Sequence, residues 1–154
     1  MEKSIVINYS ESSLVELSKE DASLMMSAIE STDTAYAPYS NFHVGAAVLL
    51  DDGTVVKGSN QENMAYPSGL CAERTALFAS AAQHPGKAVK AIAIVGRNPE
   101  GKLVLTSPCG ACRQVMAEQQ IRQREKMRIL CYSSDDKILI FEDVESLLPF
   151  IFTM

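Results

Sequence analysis

The sequence has 154 residues, 47% of them apolar and 21% charged, with four cysteines and a formal net charge of -5. A chain of this length buries roughly 70% of its extended surface on folding, so residues 1–154 are expected to form one domain without disulfide staples. The acidic balance and the absence of any Lys/Arg run exclude a surface built to neutralise a phosphate backbone, so no nucleic-acid partner is expected.

Residues 1–18 carry no assignable role and are read as an N-terminal extension. Ser18 followed by Asp21 resembles a capping arrangement, and apolar residues at helical spacing predict a first helix over Lys19 to Ala35, ended by Pro38. Phe42 to Leu50 is almost continuously apolar; with Asp51-Asp52-Gly53 and Thr54 to Gly58 it predicts a β-hairpin whose first strand is buried on both faces. After a loop from Ser59 to Leu70, Cys71 to His84 predicts a helix that stops before Pro85-Gly86. Ala91 to Gly96 predicts a buried strand, Asn98-Pro99-Glu100-Gly101 a turn, and Leu103-Val104-Leu105 a short extended run. Pro108 opens a helix over Cys109 to Gln120. Met127 to Tyr132 and Lys137 to Phe141 are strands whose short link requires them to be antiparallel. A short helix, Val144 to Leu148, precedes an apolar end. The expected fold is α/β: a three-layer α/β/α arrangement around a five-stranded mixed sheet.

No stretch reaches the roughly 18 to 20 apolar residues of a membrane span, and Ile5-Val6-Ile7 is too short for the apolar core of a signal peptide. No membrane partner is expected, and the expected compartment is the cytoplasm. Thiols stay reduced there, so Cys71, Cys109, Cys112 and Cys131 are read as ligands, nucleophiles or core residues.

Cys71 starts one predicted helix, and Cys109 and Cys112 start another. If both helices follow adjacent strands of one sheet, the three thiols converge. The partial positive charge of a helix N-terminus favours thiolate over thiol. Three thiolates suit zinc, and three rather than four protein ligands leave a position open for water, the mark of a catalytic site. Glu73, two residues past Cys71, is placed to move protons at that position. Arg74 has two open readings: a solvated helix residue, or a guanidinium that hydrogen-bonds a cysteine sulfur and offsets the -1 charge of three thiolates with Zn²⁺. Cys109-Gly110-Ala111-Cys112 is also the pattern of a redox dithiol, and the two readings are equally open when that segment is taken alone. Cys131, inside an apolar strand, is read as a core residue.

Cys71-Ala72-Glu73-Arg74-Thr75-Ala76 and Pro108-Cys109-Gly110-Ala111-Cys112-Arg113-Gln114 together resemble the cytidine deaminase family in its short, three-cysteine form. A metal ligand two residues before a Glu, followed later by Pro-Cys-x-x-Cys, is the known signature of zinc deaminases. Ala35-Tyr36-Ala37-Pro38-Tyr39-Ser40-Asn41-Phe42, Val44-Gly45-Ala46-Ala47, Asn60-x-Glu62-Asn63, Tyr66-Pro67 and Leu147-Leu148-Pro149 resemble the same family in the same order.

The resemblance implies that Cys71, Cys109 and Cys112 hold one Zn²⁺ per chain and that Glu73 shuttles protons in the hydrolytic deamination of free cytidine and deoxycytidine, a reaction of pyrimidine salvage. It implies that the Ala72 N–H and the Ser107 carbonyl hydrogen-bond the base, that Phe42 packs against it, and that Asn60 and Glu62 hold the ribose hydroxyls, with Tyr66 also among the substrate-binding residues. It further implies a homotetramer with sites shared between subunits, Phe152 reaching across a boundary. Met64 departs from the family, which commonly has a small alanine there. A carboxylate at Glu62 meets a free 3′-hydroxyl well and a phosphate badly, which favours nucleosides over polynucleotides.

Overall fold

A computed structural model describes residues 1–154. The Ser18 hydroxyl accepts the Asp21 N–H at 3.1 Å, so the expected cap opens the first helix, Lys19–Ser31 (α1). The helix stops short of Ala35 and tightens into a 3₁₀ turn, Thr32–Thr34. The Thr32 and Thr34 hydroxyls donate to the Ile29 and Ser31 carbonyls, local bonds of the kind that compete with a continuing helical ladder.

A short strand, Ser10–Ser13 (β1), precedes α1, and the hairpin His43–Leu50 (β2) and Val55–Ser59 (β3) follows it. Ala46 to Leu50 are each at most 3% exposed, as a strand covered on both faces requires. Then come Ala72–Gln83 (α2), Val89–Arg97 (β4), Leu103–Val104 (β5), Gly110–Gln123 (α3), Arg128–Tyr132 (β6) and Lys137–Phe141 (β7). The last expected helix is a single 3₁₀ turn, Val144–Ser146.

The sheet has seven strands where five were expected, in the order β1-β7-β6-β4-β2-β3, with β5 paired to the end of β4. The two additional strands are short and carry little pattern. β1 is Ser-Glu-Ser-Ser, placed by antiparallel pairing to β7 and by Tyr9, whose ring lies 5.7 Å from that of Phe141. β5 has two residues. The sheet is mixed: β6 and β7 are antiparallel as expected, while β4 and β6 are parallel.

Side-chain alternation along the strands divides the apolar residues into two layers. Leu24, Met25 and Ala28 of α1 pack on Ala47, Leu49 and Leu130. On the opposite face, Leu77 of α2 and Met116 of α3 pack with Val48, Ile92 and Ile94. The three-layer α/β/α arrangement holds. Asp21 of α1 also grips Arg128 of β6 through both carboxylate oxygens, at 2.7 and 2.9 Å. No helix is long and apolar enough to cross a membrane.

The two cysteine-bearing helices do not follow adjacent strands, because β2 lies between β3 and β4. They converge nonetheless. β3 and β4 both run antiparallel to β2, so their C-terminal ends share one end of the sheet, where β2 begins. α2 also sits very close to β3. A Cβ on Gly58 would stand 2.5 Å from the Ala76 nitrogen and 2.7 Å from the Ala72 oxygen, so only glycine admits the α2 backbone here.

Candidate active site

Three loops meet at that end of the sheet: the one entering β2, the one leaving β3, and the one running from β5 into α3. They enclose a cavity of about 650 Å³ whose wall includes Cys71, Glu73 and Cys109. That is the size of a small-molecule cleft.

Cys71 and Cys109 occupy the N-cap positions of α2 and α3, and Cys112 is the third residue of α3. Their three sulfur atoms all lie within 4.8 Å of one another, with Cys71 Sγ and Cys109 Sγ 3.9 Å apart. A tetrahedron with Zn–S bonds of about 2.3 Å has edges of about 3.8 Å, so the thiol group fits zinc. A dithiol has no use for the third sulfur, which decides between the two readings of Cys109 and Cys112. The Cys71 thiol is lowered to about 5, chiefly by the neighbouring Cys112 thiol and further by the Arg74 guanidinium. The Cys112 thiol of the same pair is pushed up.

Arg74 resolves toward the sulfur: its Nη2 donates to Cys71 Sγ at 3.6 Å, a normal length for a sulfur acceptor. The fourth thiol, Cys131, lies in the α2/α3 layer of the core, 1% exposed and pushed up to about 12 by burial. It stays outside the thiol group, as expected for a small core residue.

Glu73 is in the first turn of α2, 4% exposed, and its carboxyl is raised to about 7, first by burial and then by the charge of Cys71. A carboxyl group near neutrality can both accept and return a proton. It is not one of the clustered ligand atoms.

Phe42, Asn60, Glu62, Tyr66, Ala72 and Ser107 all line the same cavity. The Phe42 ring crosses the end of β4, where a Cβ on Gly96 would stand 2.6 Å from its Cζ. Asn60 makes a two-ended clamp on the start of β2: Oδ1 accepts from Val44 N at 2.8 Å and Nδ2 donates to the Phe42 carbonyl at 2.9 Å. One amide hydrogen of Asn60 is left over from these bonds. Glu62 accepts from the Tyr39 and Ser40 N–H groups at 2.9 and 3.3 Å and from the Ser40 hydroxyl, bonds that lower its pKa, the hydroxyl first. Tyr66 is 73% exposed and meets Tyr39 edge-on at 5.7 Å.

The Ala72 N–H has no acceptor, as befits the first turn of a helix, and the Ser107 carbonyl has no donor. The cavity wall thus includes an unpaired backbone donor at Ala72 and an unpaired backbone acceptor at Ser107. Phe152 is not brought into the cavity of its own chain: it is 69% exposed, and its carbonyl accepts from Gln114 Nε2 at 3.1 Å. Tyr39, Ser40 and Arg113 also support the site, although the sequence does not single them out. All three stand inside or beside the recognised motifs, but the bonds they make, Tyr39 and Ser40 to the Glu62 carboxylate and Arg113 to the Pro108 and Leu147 carbonyls, are visible only once the chain is folded.

A family model described as the cytidine and deoxycytidylate deaminase zinc-binding region matches residues 18–125. The chain belongs to that family. A cytidine deaminase of Halalkalibacterium halodurans is 50% identical over 95 residues, which span 62% of this chain and 68% of that protein. The crystal structure of a cytidine deaminase from Burkholderia pseudomallei matches with a TM-score of 0.72 at 39% identity, covering 84% of this chain and 97% of that one. One from Mycobacterium tuberculosis matches with a TM-score of 0.67 at 35% identity, covering 86% and 96%. Zinc-dependent deamination of cytidine is the reaction of this family, so the chain is an enzyme of the hydrolase class and its metal is Zn²⁺. β1 lies outside the matched region.

Proposed function

We propose that this protein deaminates free cytidine and deoxycytidine, with Glu73 as the proton-transfer group and Cys71, Cys109 and Cys112 as the zinc ligands. The observation that carries this is a buried carboxyl beside three converged thiols in one small-molecule cavity. Zinc, when bound, supplies a Lewis acid that brings the pKa of water near neutrality. Glu73 takes a proton from the attacking water and delivers one to N3 of the pyrimidine, which makes C4 electrophilic. It then takes the second proton of that oxygen, from the hydroxyl now on C4, and passes it to the amine, which departs as ammonia as C4=O forms; cytidine plus water becomes uridine plus ammonia. Arg74 hydrogen-bonds Cys71 Sγ and tempers the charge of the thiolate group.

The base matches the unpaired groups of the wall. Ala72 N–H can only donate, and the pyrimidine O2 accepts; the Ser107 carbonyl can only accept, and the exocyclic 4-amino group donates. Phe42 supplies an apolar face beside them. Asn60 and Glu62 take the ribose hydroxyls, and Tyr66 stands at the rim. A single domain, the cytoplasm and a place in pyrimidine salvage complete the proposal. So does a homotetramer in which the exposed Phe152 enters a neighbouring site.

Glu62 tests the choice of nucleoside over nucleotide. Cytidine should be turned over well and cytidine 3′-phosphate at least about tenfold less efficiently, because the phosphate faces a carboxylate. Glu62→Gln should raise the KM for cytidine and narrow that gap while zinc content stays at one per chain. Equal kcat/KM for the two substrates in the unaltered enzyme would remove Glu62 from the ribose site.

A further inference from the structure

The segment that carries the Ser107 carbonyl has no backbone support. Neither Ser107 nor Pro108 takes part in any backbone–backbone hydrogen bond; the nearest are those of Thr106, whose N–H donates to the Tyr132 carbonyl, and Cys109, whose carbonyl accepts from Arg113 N. Proline has no N–H to give. A carbonyl that must meet a substrate amine is therefore set in a stretch that the sheet and the helix leave untied.

One side chain ties it. Arg113 Nε donates to the Pro108 carbonyl at 2.8 Å, and its Nη2 to Ser107 Oγ at 3.1 Å. The remaining arm, Nη1, donates to the Leu147 carbonyl at 2.8 Å, just past the last 3₁₀ turn. Leu147 and Leu148 in turn pack against the α2/α3 layer of the core. The planar guanidinium fixes the angles between its donors, so two bonds on one side and one on the other brace the loop against a packed segment.

Resting on the function proposed above, we propose that Arg113 is a positioning residue: it holds the Ser107 carbonyl where it accepts from the substrate's 4-amino group, braced against Leu147. It does not touch the substrate. Lysine cannot replace it, because an ammonium at one point reaches one of these acceptors and leaves the others.

Uridine separates positioning from general structural damage, since it carries O4 where cytidine carries the amino group and has no hydrogen to donate there. Arg113→Lys and Arg113→Gln are compared with the unaltered enzyme for zinc content, melting temperature, KM for cytidine and, by calorimetry, Kd for uridine. The expected result is a KM for cytidine raised about tenfold or more, the scale of a misaligned hydrogen bond, with the uridine Kd changed less than about twofold. Ser107→Ala keeps the carbonyl and removes only the Oγ that Arg113 grips. It should give the same split at smaller size even where the Arg113 variants fold poorly. Cytidine and uridine affected alike, or neither affected, in folded zinc-containing Ser107→Ala and Arg113→Lys overturns the positioning role. An unaltered enzyme that does not convert cytidine overturns the functional reading itself, which is a different result.

Discussion

Glu73→Gln retains one zinc per chain and loses roughly two to four orders of magnitude in kcat, the range for removing a positioned acid–base group. The substitution keeps the size of the side chain and abolishes its proton transfer. The carboxyl is not among the clustered ligand atoms, so the metal should stay. Glu73 is 4% exposed, and replacing a buried carboxyl raised to about 7 with a neutral amide relieves a desolvation cost, so stability should hold or rise. Single-turnover kinetics with metal analysis on the same sample check both halves. A variant with undiminished kcat removes Glu73 from the chemistry, and one that loses its zinc makes it a ligand instead.

Gly58→Ala is expected to cost about 1–3 kcal/mol in stability and to weaken zinc retention, although residue 58 lies on β3 and outside the cavity lining. The atoms a methyl group would meet are backbone atoms of Ala72 and Ala76, in the first two turns of α2. They have no rotamer to yield, so the helix must move. That helix carries Cys71 at its cap and Glu73 in its first turn. A displacement of about 1 Å in a catalytic constellation costs on the order of a hundredfold in rate. Urea unfolding of the variant, with zinc content and kcat/KM, should therefore show three losses from one methyl group. Unaltered stability and zinc content would mean that the close approach of α2 to β3 is not required.

The chemistry was the most legible part of the sequence because its residue types are rare and its spacing rigid. Cys71-x-Glu73 and Pro108-Cys-x-x-Cys112 each sit at a helix start that the flanking residues announce. Their convergence was expected for the wrong strand arrangement. What brings them together is the shared direction of β3 and β4 on either side of β2, a pairing that no local pattern encodes. β1 is not legible in the sequence because Ser-Glu-Ser-Ser has no alternation; pairing to β7 and the Tyr9–Phe141 contact place it. The supports of the site were equally hidden. Asn60 bonding Phe42 and Val44, Glu62 bonding Tyr39 and Ser40, and Arg113 bonding Pro108 and Leu147 are all side-chain-to-backbone contacts. Such bonds depend on where the loops lie and leave no periodicity in the chain.

The most direct measurement pairs metal analysis with the absorbance of cytidine. Purified protein should hold one zinc per chain and convert cytidine to uridine with release of ammonia. A chelator should abolish the conversion, added zinc should restore it, and reductant should leave it unchanged. Full turnover by metal-free protein, or folded zinc-loaded protein that leaves cytidine intact, would contradict a three-thiolate zinc deaminase.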